Sequence, residues 1–168
     1  MWKLPLEFYE WAVENNLYKK LDYEFLNDLL LFEWLEIEVF TMPDIAMPDF
    51  RLRGDFLSDI IAINPEHRII ELNYPVHKVA LDDSTNHKGR YYILAFRENS
   101  SKKVEYIELS VFYVFILERI ISTGASIADV LVEAVSTFNL EMEKEINSKV
   151  KSFFEQLKTK GFVLGFRI

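Results

Sequence analysis

Apolar residues along this chain recur first at helical spacing, then in short extended runs, then at helical spacing again. Leu6 to Leu21 predicts a helix with Phe8, Trp11 (or Ala12), Asn15 and Tyr18 on one side. Tyr23 to Phe40 predicts a second, clearer helix. There Phe25, Leu26, Leu29, Leu30, Glu33, Trp34, Ile37 and Phe40 follow the i, i+3, i+4 rule, and Asp28, Glu36 and Glu38 form the polar face. Met42-Pro43 and Met47-Pro48 end this helix and open a connector to about Gly54. The connector divides the chain into a helical segment with its linker, residues 1–54, and a second unit, residues 55–168. Leu57 to Ile63 reads equally as a short apolar helix or a strand.

The period then changes to two. In Arg68 to Tyr74 the apolar residues Ile70, Leu72 and Tyr74 are separated by polar ones, with Ile69 alone breaking the alternation. This predicts a strand with one wet face. Pro75 removes a ladder donor, so the segment is an edge, a strand end or a bulge. Main-chain groups just before the proline are then expected to be open to another chain. A polar loop, Asp82 to Lys88, follows. Arg90–Arg97 and Lys103–Leu109, joined by Glu98 to Lys102, predict a hairpin. Ser110 caps a helix to Ile121, which Gly124 ends. Ser126-Ile127-Ala128-Asp129 has capping-box spacing and opens a helix to about Phe138. Glu141 to Lys160, with Met142, Ile146, Val150, Phe153, Phe154 and Leu157 apolar, predicts a long amphipathic helix; Gly161 closes it before a last strand, Phe162 to Ile168. The fold class is therefore α+β: N-terminal helices, then a small antiparallel sheet with three C-terminal helices.

Composition narrows what such a fold can do. Half the residues are hydrophobic and 15% aromatic, enough for a real core. The absence of cysteine excludes disulfide scaffolds, thiolate metal sites and cysteine nucleophiles. No window reaches the length of a membrane span, and glutamates interrupt the N-terminus where a signal peptide needs an apolar run. A soluble cytoplasmic protein is expected. The net charge of −8 sits in the first part: residues 1–64 hold 13 acidic and 5 basic side chains, and residues 65–168 hold 14 of each. That acidic third disfavours nucleic acid as a partner.

Candidate chemistry is sparse. His67, His77 and His87 lack the short spacing of a metal site, even with Asp82 or Asp83 nearby. His77 is expected to order the chain through a backbone hydrogen bond, and His67 to face solvent. The carboxylates Asp82-Asp83 and Glu141, Glu143 and Glu145 lie in a loop and a first helical turn, with nothing to separate their pKa values as acid–base catalysis needs. Neither a glycine-rich phosphate loop nor a nucleophile elbow occurs. No enzymatic activity, metal or cofactor is expected of this chain alone. Lys149, Lys151, Lys158 and Lys160 make the last predicted helix basic, which suits either a solvated face or an acidic partner.

One stretch carries a resemblance. Asn64, Pro65, Arg68, Leu72, Tyr74, Pro75, Val76, His77 and Lys78 match the pattern that begins the C-terminal domain of HvfC/BufC-type proteins. Glu33-Trp34 upstream, and Phe153, Phe154, Leu157, Gly161, Phe162 and Val163 at the end, match it as well. The chain resembles that family over roughly residues 20–168. The order of hairpin, three helices and terminal strand also resembles winged-helix domains and RiPP recognition elements. The resemblance implies a non-catalytic adaptor in peptide modification, which partners a multinuclear non-haem iron oxidase and presents its ribosomal precursor peptide. The iron would belong to the partner. Strand addition at a sheet edge is the mode such a domain would use. Its candidate residues are Arg68, Glu71, Asn73, Tyr74, Pro75, Val76 and His77, with Lys149, Ser152 and Gln156 on the last helix. The alternative is a winged-helix transcriptional regulator with Lys149, Lys151 and Lys158 on phosphate. A structural interaction module is the third reading, and a homo-oligomer fits any of them.

Overall fold

The computed structural model describes residues 3–78, 85–141 and 144–168. Asp82-Asp83, Met142 and Glu143 therefore lie outside the described residues. The first predicted helix is two: α1, Leu4–Glu14, and α2, Leu17–Leu21. Asn16 adopts the left-handed conformation (φ 50°) and breaks the run, a role asparagine fills more readily than most residues. Helix α3, Leu26–Thr41, lies close to its expected bounds. The face that it buries overlaps the expected one only in part: Phe25 and Trp34 are buried as expected, but the buried stripe is shifted. Asp28, Trp34, Leu35 and Val39 are buried, whereas Phe40 and Glu33 are exposed. Contacts with a sheet, which no local pattern encodes, chose that face.

That sheet is antiparallel and three-stranded, in the order β3 (His67–Leu72), β4 (Tyr91–Arg97), β5 (Val104–Leu109). Register runs from His67 opposite Phe96 to Leu72 opposite Tyr91, and from Tyr92 opposite Leu109 to Arg97 opposite Val104. Both faces are covered. Ile70, Leu72, Tyr91, Ile93, Ala95, Val104 and Tyr106 pack with Leu35, Val39 and Met42 at the α3 side. Ile69, Tyr92, Leu94, Phe96, Ile107 and Leu109 pack on the C-terminal side. The expected wet face of β3 is thus largely covered, with Glu71 left exposed at one end. Ile69, which interrupts the alternation, is the residue that points into the second core. The same covering explains why β4, the central strand, reads as a near-continuous apolar run.

A second antiparallel sheet has the order β1 (Phe50–Arg51), β6 (Val163–Arg167), β2 (Ile61–Ile63). Strands are therefore divided between two sheets, and the ambiguous Leu57–Ile63 run ends as strand. Gly165 allows the close pairing of β1 with β6, because a Cβ there would lie 2.5 Å from the Arg51 carbonyl oxygen. Helices α4 (Val111–Thr123), α5 (Ile127–Thr137) and α6 (Lys144–Thr159) follow the first sheet in the expected order. Ser110 Oγ accepts the Tyr113 amide at the start of α4, and Gly124 in the left-handed region (φ 67°) ends it. Ser126 Oγ accepts the Asp129 amide at 3.2 Å and donates to its carboxylate at 2.6 Å, which fixes the start of α5. The class is α+β, as expected. Among the described residues, no helix is long and apolar enough to cross a membrane.

A buried polar network ties the α3 end to this sheet. Asn64 donates its side-chain amide to the Arg97 carbonyl and accepts the Glu66 amide, both at 2.9 Å. Arg97 reaches Glu66 at 2.7 Å, the Phe40 carbonyl at 3.0 Å and Asp44 at 2.8 Å. Glu66 also accepts the Ile45 amide at 3.0 Å. The Arg97 guanidinium holds the Glu66 carboxyl below its usual range despite burial.

Candidate functional site

The outer edge of β3 is the natural starting point, since among the described residues no strand pairs with it opposite β4. The Arg97 amide donates to the Glu66 carbonyl, which sets the phase of the ladder. Main-chain groups of residues 66, 68, 70 and 72 then face β4, and those of Ile69 and Glu71 face outward. Around them, Arg68 makes an ion pair with Glu38 of α3 at 2.7 Å, and Glu71 one with Arg90 at 2.9 Å.

The following motif is more committed than its proline suggested. Asp28 Oδ2 accepts the amides of both Asn73 (2.6 Å) and Tyr74 (2.7 Å). The expectation of open donors just before Pro75 therefore fails at these two residues. By its spacing Asp28 falls on the polar face of α3, because no local pattern shows which distant amides a carboxylate will meet. Its burial raises its pKa, and the two backbone hydrogen bonds pull the other way. Tyr74 is buried and its hydroxyl donates to Glu24, while Val76 lies in the core beside α3. The Asn73 carbonyl accepts the Gly89 amide at 2.8 Å. Asn73, Tyr74, Asp28 and Glu24 thus form one wall of a polar cleft of about 590 Å³, with Asn27 and Lys88 also lining it.

His77 does not make the expected backbone bond. Its Nε2 lies 2.9 Å from Glu108 of β5, its Nδ1 has no hydrogen-bond partner among the described residues, and its ring neighbours Phe32 and Tyr91. Lys78 meets the same carboxylate at 2.7 Å, and His77 and Lys78 together hold Glu108 below its usual range. His67 is partly buried rather than solvent-facing. Its Nδ1 lies 2.7 Å from the Asn64 carbonyl, Phe162 packs against its ring, and burial lowers its pKa. Among the described residues, no group of three histidine or carboxylate side chains is placed to hold a metal ion.

The last-helix candidates lie apart from this edge. Ser152 and Gln156 line a shallow groove formed with Glu155, Thr159 and Lys160, all from α6 and the residue after it. Lys149 makes an i, i+4 ion pair with Glu145 at 2.7 Å. Lys158 donates to the Leu52 carbonyl at 2.6 Å and lies over the Phe166 ring. Sequence reasoning missed Asp28, Glu66 and Arg97. Glu66 and Arg97 carried no signal beyond being charged residues at the ends of apolar strands.

An α+β protein whose three-stranded sheet packs against helices on both faces, with β3 and β5 as its edge strands among the described residues, is the class that these observations define. The sequence model of the HvfC C-terminal domain matches residues 64–158, just over half of the chain, and the protein belongs to that family. A search of curated proteins finds no match to this chain. The family is one of partner proteins in peptide modification.

Proposed function

We propose that this protein is a non-catalytic partner of a multinuclear non-haem iron oxidase and presents a ribosomal precursor peptide to it. The observation that carries the reading is the outward-facing main chain of Ile69 and Glu71 on a strand edge that, among the described residues, has no partner strand. Strand addition draws affinity from main-chain bonds and specificity from neighbouring pockets. A pocket of about 210 Å³, lined by Ile61, Ile63, Pro65, His67, Ile120 and Ile121, lies at the His67 end of that edge. Arg68 and Glu71 flank the edge; Tyr74 and Val76 hold its far end to α3, His77 holds it to β5, and buried Pro75 lies between them. Asn73 has its amide committed to Asp28 and is a framework residue in this reading. Lys149, Ser152 and Gln156 would serve a separate contact on α6.

The nucleic-acid reading has less support, because Lys149 and Lys158 have partners within the chain. Amide hydrogen exchange with the precursor peptide and oxidase present tests the main reading. Ile69 and Glu71 amides should gain protection in the complex. Protection confined to α6, with the β3 edge unchanged, would reject peptide capture at this edge.

A further inference from the structure

Helix α1 turns its most apolar row to solvent. Leu4, Phe8 and Trp11 follow one another at i, i+4 and i+7, and they are 64%, 46% and 49% exposed. The Phe8 and Trp11 rings stack with centroids 5.9 Å apart. Ala12, one turn on from Phe8, is fully buried and marks the neighbouring side of the helix, where α1 packs on α3. A contiguous row of large exposed side chains marks an interaction surface, whereas scattered ones do not. Glu7, Glu10 and Glu14 run beside the row at i, i+3 and i+7, and α1 contains neither lysine nor arginine.

We infer that this face docks a basic amphipathic helix of another protein. The occupant needs an apolar row to cover Phe8 and Trp11 and cations to meet the three glutamates. That pairing supplies desolvated aromatic anchors at the centre and charge complementarity at the rim. A second copy of this chain is disfavoured, since a two-fold contact through α1 would bring the acidic stripes together. An anionic membrane surface is disfavoured by the same glutamates. The inference stands apart from the β3 edge, and neither depends on the other.

The test uses the full chain and two labelled helical peptides of about 18 residues, long enough to lie along α1. One carries leucine at heptad positions with lysine elsewhere, and the other has glutamate in place of lysine. The lysine peptide should bind at least ~10-fold more tightly, a difference of about 1.4 kcal/mol. Phe8→Ser and Trp11→Ser should each weaken it by about tenfold, as for anchor residues. Both positions are exposed, so circular dichroism and Tm should match wild type. Added salt should weaken binding further. Equal binding of the two peptides, or lysine-peptide binding that survives both substitutions, overturns the inference. So does self-association in sedimentation that Trp11→Ser abolishes, or tighter binding to anionic phospholipid vesicles than to the lysine peptide.

Discussion

Asp28 shows how one carboxylate can organise a motif that lies far from it in sequence. Two amides converge on its Oδ2, and together they hold the chain just before Pro75 against α3. Removing the acceptor leaves one buried donor and one partly buried donor without a partner. Asp28→Ala should therefore cost about 1–3 kcal/mol in urea unfolding. Asp28→Asn keeps an acceptor oxygen and sheds the desolvation that raises the carboxyl pKa. It should cost less than half as much as the alanine change. A larger loss for asparagine than for alanine would show that the charge itself is required.

Among elements, the junction of α3, the connector and β4 rests on the Arg97 network. Arg97 and Glu66 are 7% and 1% exposed, so removing one partner strands the other charge out of water. Arg97→Ala should destabilise the protein by about 3–5 kcal/mol. Replacing both residues by methionine should recover much of that loss, because an apolar pair removes the desolvation penalty together with the attraction. Equilibrium unfolding of the single and double variants checks both outcomes. Recovery should be incomplete, since Glu66 also accepts the Ile45 amide, and Arg97 also serves Phe40 and Asp44.

At the scale of the whole molecule, the sheet β3-β4-β5 separates two cores. One is built with α3 and the other with the C-terminal helices and second sheet. The connector near Gly54 divides the chain in sequence, and the α3 core joins its two parts in space. A fragment of residues 55–168 would uncover Leu72, Tyr74, Val76, Ile93 and Ala95 on one side of the sheet. Exposed apolar area of that kind promotes association. The fragment should therefore aggregate, or bind a hydrophobic dye in a manner the full chain does not. A monomeric fragment with a cooperative thermal transition would instead establish residues 55–168 as an independent folding unit.

Local signals determined the elements themselves. Capping serines at 110 and 126, left-handed Gly124, the hairpin runs and the 3.6-residue rows act within a turn or two of chain, so the sequence alone placed α3 to α6 and β3 to β6 closely. The family motif was legible for the same reason, being a contiguous run of residues. What covers each surface was decided only in the tertiary structure. The pattern puts Phe8 and either Trp11 or Ala12 on one side of a helix, and of these only Ala12 is buried, while Asp28 falls on a polar face by pattern and is buried. Ile69 looked like an irregularity and fills a second core. The physical reason is common to all three. Periodicity records which residues share a face, but burial depends on the partner that face meets. Here that partner lies dozens of residues away along the chain.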